Sequence, residues 1–116
     1  MGGSFATDDA EKNPDLRPVR VPQRFEEVWD EARNLATELP GWRILAEDLA
    51  GKVLVCERSG SFLAPASKVT IRFESPAGIP STTVNVRSES SGGLPGWARD
   101  RARVLEFTKL LHRRVG

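Results

Sequence analysis

Residues 83–104 have the sequence TVNVRSESSGGLPGWARDRARV, in which an alternating strand passes through a glycine-rich turn into a basic amphipathic helix. Successive side chains of a strand point to opposite faces of its sheet, so this strand has an apolar and hydroxyl face and a charged face. The first face consists of Val84, Val86, Ser88 and Ser90, and the second of Asn85, Arg87 and Glu89. The turn is expected to return Trp97, Arg99 and Arg103 towards the strand end, which makes this corner the first candidate for a ligand site.

The sequence before this segment predicts one helix and three more strands. Residues 25–39 place apolar side chains at helical spacing, and Pro40-Gly41 ends the helix. Apolar runs, alternation and tight connections predict strands at Trp42–Asp48, Val53–Arg58, residues 69–74 and Thr82–Ser90. The closing helix is predicted to begin at residue 96 or 97 and to end at residue 112.

This order of elements, α-β-β-β-β-α, predicts an α+β fold. Four consecutive strands form an antiparallel meander, and two amphipathic helices cover one face of it in a two-layer sandwich. The helices carry opposite charge, since residues 25–39 have five acids against Arg33, a net −4, and residues 97–116 have six Lys and Arg against Asp100 and Glu106, a net +4. Opposite charge favours neighbouring positions, although an exposed pair is worth only ~0–1 kcal/mol.

Length and composition predict one globular domain at residues 22–116 behind a flexible leader at residues 1–21, which is rich in Gly, Pro and acids. The chain has 116 residues, of which 39% are hydrophobic and 28% charged, and a formal net charge of +1. The net charge is therefore too small to attract nucleic acid or an anionic membrane surface by itself. No apolar run approaches the ~18 residues of a membrane span, and residues 1–13 lack the basic and hydrophobic regions that are typical of a signal peptide. A cytoplasmic location is the expectation.

Metal and cofactor chemistry has little support in the residue types present. Cys56 is the only cysteine and His112 the only histidine, so the chain lacks a zinc ligand set. Cys56 lies in the middle of a predicted strand, where a small buried thiol is expected. We expect neither a metal site nor a cofactor.

The C-terminal two-thirds of the chain resembles the domain of unknown function 1499 family of small bacterial and plant proteins, over roughly residues 22–112. The residues that carry the resemblance are Leu39, Pro40 and Trp42 after the first helix, Val69 and Arg72 in the third strand, Val84, Val86, Arg87, Ser88 and Ser90 in the fourth, Gly93 in the turn, and Arg103-Val104 in the last helix. The resemblance implies the α+β fold and no assigned activity.

This chain departs from the family pattern at polar positions. Ser67-Lys68 stands where the family has two aspartates, Ser91 where it has an arginine, Gly96 where it has an aspartate, and Asp100 where it has an asparagine. The resemblance therefore implies that a family network of acids and arginines is reduced here.

The residue pattern predicts an anion-binding corner formed by Arg72, Arg87, Ser88, Ser90 and Arg103. Planar guanidinium groups suit bidentate contacts to carboxylate or phosphate, and a helix N-terminus favours negative charge. The competing interpretation is a solvated sheet face on which the strand arginines pair across strands with Glu57, Glu74 and Glu89. The leading hypothesis is a non-enzymatic binding module for an anionic small molecule or protein partner.

Two alternatives from other functional classes stay open. The first is a hydrolase or transferase acting on an anionic substrate, with Asp100 or Glu89 as its base. The second is a structural homodimer that pairs through the outer sheet face or an edge strand. Nucleic acid is not favoured, because Asp100 and Glu106 interrupt the basic helix and no strand has the aromatic pattern of an RNA-binding sheet.

Tryptophans offer a further candidate, an apolar pocket between the helices and the sheet. Trp29, Trp42 and Trp97 are the three in the chain, and each is also compatible with a place in the core. Trp97 follows Pro95-Gly96 at the start of the closing helix, so it is the predicted pocket aromatic.

Overall fold

The computed structural model describes residues 3–60, 65–90 and 96–115, without the side chains of residues 96 and 97. Its strands and helices follow in the order β1 (Gly3–Ala6), β2 (Val19–Val21), α1 (Phe25–Glu38), β3 (Trp42–Asp48), β4 (Val53–Arg58), β5 (Ser67–Glu74), β6 (Thr82–Ser90) and α2 (Gly96–Val115). A short 3-10 turn at Pro14–Leu16 lies between β1 and β2. The α+β class predicted from the sequence is confirmed.

The sheet is antiparallel and contains six strands in the described residues, whereas the sequence predicted four. The meander β3–β4–β5–β6 is present as predicted, and β3, β4 and β6 have the predicted bounds. Strands β1 and β2 both pair with β6, next to each other along its second edge. Strand β6 is therefore interior, and α1 is preceded by two strands rather than being the first element.

The two missed strands lie within residues 3–21, which the sequence predicted as a flexible leader. They have only four and three residues, too few for a periodic pattern. Between them, the Asn13 side chain accepts a hydrogen bond from Asp15 N at 3.0 Å and starts the 3-10 turn. The turn places Leu16 at 0% exposure beside Val19, so this segment contributes to the same core as the helices.

The core lies between the helices and one face of the sheet. Phe25 and Trp29 of α1 contact Phe73 of β5, with ring centroids 5.6 and 5.3 Å apart, and Trp42 of β3 contacts Phe107 of α2 at 5.3 Å. The two helices also contact each other. Their opposite charges meet at Arg114, which pairs with Glu38 and lies 4.0 Å from Glu31.

Helix α2 has 20 residues but carries charged side chains along its whole length. Among the described residues, neither helix combines the length and the apolar character needed to cross a membrane.

Truncation of Leu16 tests whether residues 3–21 belong to the folded core. We expect Leu16→Ala to lower the free energy of unfolding by about 2–5 kcal/mol, because it leaves a cavity at a fully buried site. Urea denaturation measures the change. Leu49→Ala, at a leucine that is 60% exposed, is the control and should cost much less. Equal effects of the two substitutions would contradict the packed position of Leu16.

Thiol chemistry tests the burial of Cys56 in β4. Burial raises the pKa of the Cys56 thiol to about 12, with a smaller contribution from Glu47. The reactive thiolate is therefore scarce at neutral pH. We expect an aromatic disulfide reagent to label Cys56 very slowly in the native protein and rapidly in concentrated urea. Rapid labelling under native conditions would contradict this environment.

Candidate functional site

The buried face of the sheet changes from apolar to polar along its strands. At one end, Phe73 pairs with Val84 and both are buried. At the other end, Arg58 of β4 pairs with Ser67 of β5, and Ser67 pairs with Ser90 of β6. The first turns of α2 cover this polar end, because Asp100 contacts Ser88 and Ser90 there.

Asp100 is the most buried ionisable group at this end, with 0% exposure. Ser88 Oγ donates to Asp100 Oδ1 and Ser90 Oγ donates to Asp100 Oδ2, each at 2.8 Å. Burial of a carboxylate costs several kcal/mol unless hydrogen bonds and opposite charge compensate it. The two serine hydroxyls supply the hydrogen bonds, and Arg99 Nη2, which donates to Ser90 Oγ at 3.1 Å, supplies nearby positive charge.

A second set of contacts joins β3, β4 and α2 beside this carboxylate. Glu106 Oε1 accepts a hydrogen bond from Trp42 Nε1 at 2.8 Å and lies 3.5 Å from Arg58 Nε. The Arg58 contact is an ion pair by distance but lacks hydrogen-bond geometry. Gly41 permits the close approach of Arg58, since a Cβ at residue 41 would lie 2.9 Å from Arg58 Nη1 and the residue has φ +82°.

Three guanidinium groups thus gather around two carboxylates at the α2 N-terminal end of the sheet. We name this group the arginine cluster: Arg58, Arg99, Arg103, Asp100 and Glu106. Burial, the nearby Arg58 and the nearby Arg99 lower the pKa of Arg103, and Glu106 and Asp100 oppose that shift only in part. The arginine cluster thus holds three guanidinium groups against two carboxylates.

Several buried polar atoms in this region have no hydrogen-bond partner among the described residues. They include Arg58 Nε, Arg103 Nε and Ser67 Oγ. The Ser67 residue is 1% exposed and lies between Arg58 and Ser90 in the sheet register. Unpaired buried polar atoms are uncommon in proteins, and at functional sites they are often completed by a ligand or water.

The sheet divides the five residues that the sequence predicted as one anion-binding corner. Ser88 and Ser90 lie on the buried face, and Arg103 approaches the same region from α2. Arg72 and Arg87 lie exposed on the opposite face, as the alternation of β5 and β6 requires. The structure therefore brings Ser88, Ser90 and Arg103 together and keeps the other two arginines apart from them.

The outer face has some of the charge pairing expected of a solvated sheet. Arg43 pairs with Glu57 across β3 and β4 at 2.9 Å, and Arg87 lies 3.6 Å from Glu89 along the same strand. Glu74 accepts a hydrogen bond from Asn85 at 3.5 Å. Arg72 forms no ion pair with any residue of the ranges 3–60, 65–90 and 96–115.

Sequence reasoning missed Arg58, Ser67 and Glu106 as members of the site. Alternation held the signal for the first two: Arg58 continues the buried positions Leu54 and Cys56, and Ser67 precedes the buried position Val69. An arginine or a serine at the last buried position of an otherwise apolar strand indicates that the core is polar at that end of the sheet. Glu106 had no comparable signal, because its partner Trp42 is 64 residues away.

A larger groove, of about 500 Å³, lies elsewhere, between the start of α1 and the β5–β6 connection. Lys52, one of its cations, is already engaged, since its Nζ lies 5.4 Å from the Phe25 ring centroid and 3.4 Å from Ser75 O. Glu26 contributes opposite charge to the same groove. Its size alone therefore does not make it the better candidate.

Metal ligation has no support in residues 3–60, 65–90 and 96–115, where no three side chains of His, Cys, Asp or Glu group together. The predicted pocket aromatic Trp97 belongs to α2, but its side chain lies outside the described part of the chain. The predicted turn residues Ser91 and Gly93 also lie outside it.

Comparison with known proteins adds no family to these observations. No protein-family model matches the chain, and no curated protein matches it as a relative. The resemblance to the domain of unknown function 1499 family stays a prediction.

A double-mutant cycle tests the contact between Asp100 and β6. We expect Asp100→Ala to lower the free energy of unfolding by about 2–4 kcal/mol, because it leaves two buried hydroxyl donors without their acceptor. Combined with Ser88→Ala, it should show a coupling energy of about 1 kcal/mol or more. Thr82→Ala is the control, since that hydroxyl donates to Gln23 O instead and its effect should add to that of Asp100→Ala. Additive effects of the Ser88 pair would contradict the contact.

Proposed function

We propose that this protein is a non-enzymatic binding module that holds an acidic group, such as a phosphate or carboxylate, at the arginine cluster. The observation that carries the proposal is that Arg58, the cross-strand neighbour of Ser67, lies near Arg103, while Ser67 Oγ and Arg103 Nε are both buried and lack a hydrogen-bond partner among the described residues. The acidic group belongs to a small molecule or to a partner protein.

Charge supports an anion here in preference to a cation or a neutral ligand. Arg58, Arg99 and Arg103 outnumber Asp100 and Glu106, and burial together with the neighbouring Arg58 lowers the pKa of Arg103. An anion between Arg58 and Arg103 offsets the repulsion between these two guanidinium groups. Such charge-assisted hydrogen bonds are roughly twice as strong as neutral ones.

Geometry supports the same ligand class. Arg103 Nε and Ser67 Oγ are donors that lack acceptors among the described residues, and an oxyanion presents only acceptors. Both groups lie at the end of the sheet that the first turns of α2 cover. Ser88 and Ser90 act indirectly in this proposal, because their hydroxyls position Asp100 and hence α2.

The enzyme alternative has weaker support. Asp100, one predicted base, is fully buried and each of its oxygens already accepts a serine hydroxyl. Glu89, the other predicted base, lies exposed on the opposite face of the sheet from the arginine cluster. Neither placement brings a base to a group held by Arg58 and Arg103.

The homodimer alternative stays a prediction without a specific observation in its favour. Strand β3 is an edge of the described sheet, but a register irregularity between Ile44 and Ala46 interrupts its pairing, which is typical of edges that resist further pairing. Light scattering coupled to size-exclusion chromatography measures the oligomeric state.

Thermal unfolding with inorganic phosphate at constant ionic strength tests the proposed site. Saturating phosphate stabilises a native protein that binds it by about 2.7 kcal/mol at 100 times Kd. We expect this stabilisation in the wild type and its loss in Arg103→Gln. Arg113→Gln, at an exposed arginine of the same helix, is the matched control and should keep it. Loss of the phosphate effect in both variants, or in neither, would contradict the assignment to Arg103.

An internal carboxylate provides a second test of the same charge excess. We expect Ser67→Asp to raise the free energy of unfolding by about 1–3 kcal/mol, because the new carboxylate pairs with Arg58 and Arg103. Phosphate should then no longer stabilise the variant. Ser81→Asp, at the opposite end of the sheet, should change neither property. Marked destabilisation by Ser67→Asp would show that the cluster lacks the proposed excess of positive charge.

A further inference from the structure

A groove of about 340 Å³ lies on the outer face of the sheet, on the opposite side from the arginine cluster. Its lining comes from β5, β6, the end of β1 and the residue after it: Ala6, Thr7, Thr70, Arg72, Asn85, Val86, Arg87 and Glu89. Thr7 is fixed beside β6, because Thr7 N donates to Val86 O at 2.9 Å and Thr7 Oγ1 accepts from Val86 N at 3.1 Å. The segment after β1 thus forms a wall of the groove.

The sheet register arranges four of these side chains as a square. Arg72 pairs directly with Asn85, and Thr70 pairs directly with Arg87. The two arginines are therefore diagonal neighbours across β5 and β6, a spacing of about 7–8 Å that long side chains can bridge. Asn85 and Thr70 occupy the other two corners, where each offers both a donor and an acceptor.

The groove has more positive than negative charge. Arg72 and Arg87 face Glu89 alone among the charged residues of its lining. Arg72 has the neutral cross-strand neighbours Val53 and Asn85 and no ion pair within the described ranges. Arg87 lies 3.6 Å from Glu89, but both side chains are about half exposed, and such a pair is weak in water.

We propose that this groove is a second, independent binding site, for a small organic dicarboxylate. Each guanidinium fork matches one carboxylate in a bidentate contact, so two diagonal arginines suit a ligand with two acidic groups. The volume of the groove lies within the range of small-molecule sites. Asn85 and Thr70 contact the carbon chain of the ligand between its two carboxylates. The site does not depend on the arginine cluster, because the sheet lies between them.

Backbone amide shifts in a glutarate titration test this site on the intact chain. We expect saturable shifts at Thr7, Thr70 and Asn85, and affinity at least about tenfold weaker in Arg72→Gln and in Arg87→Gln, since each removes one bidentate contact. Arg43→Gln is the matched control, at an arginine of the outer face that is 68% exposed and lies outside the groove. This variant should bind within about twofold of the wild type. Glu89→Gln should bind more tightly, because it frees Arg87.

Two further probes separate this proposal from its rivals. The monoamide of glutaric acid has one carboxylate fewer and should bind at least about tenfold more weakly, as should inorganic phosphate. Equal affinity for glutarate and the monoamide, equal weakening by the Arg43 control, or no saturable shift in the groove would overturn the proposal. Arg103→Gln should leave glutarate binding unchanged, so failure of the phosphate experiment and failure of this one are distinguishable.

Discussion

Asp100 holds the first turns of α2 against the polar end of the sheet from a fully buried position, and both of its oxygens accept hydrogen bonds from hydroxyl groups of β6. A buried carboxylate tolerates few other arrangements, because loss of either hydroxyl leaves charge without compensation. The contact therefore fixes the rotation of α2 about its axis and its position relative to β6. Arg103 lies one turn further along and Glu106 about two turns, so the positions of both follow from this anchor.

Strand β6 gives the molecule two chemically different faces. Its buried residues change from valine to serine along the strand, so the same face begins as apolar core and ends as a partner for Asp100. Its outer residues include Arg87, which the register sets diagonally to Arg72. One strand thus contributes to both proposed sites, and the sheet that it belongs to keeps them separate. The two sites are expected to respond independently to substitution.

Residues 3–21 contribute to both the core and the outer groove. Leu16 is fully buried with the helices, Phe5 packs against the same core, and Thr7 bonds to the backbone of Val86 beside the groove. Strands β1 and β2 also cover the second edge of β6, which would otherwise present unpaired backbone groups. Residues 3–21 have the composition of a flexible leader, yet they are part of the fold. Their few apolar residues lie where they cover the edge of β6 and the apolar face of α2.

The sequence by itself determined the α+β class, the meander β3–β6, both helices and the two faces of β6, because these depend on local periodicity and on turn residues near each other in the chain. It predicted one corner for Ser88, Ser90, Arg103, Arg72 and Arg87, of which the structure brings the first three into one region. Alternation already assigned Arg72 and Arg87 to the outer face of the sheet and Arg58 and Ser67 to its buried face. Tertiary structure alone decided that Arg103 lies on the buried side, apart from Arg72 and Arg87, that Glu106 joins it, and that residues 3–21 form strands. Those outcomes depend on contacts between distant residues, such as Trp42 with Glu106 and Thr7 with Val86, whose register no local pattern encodes.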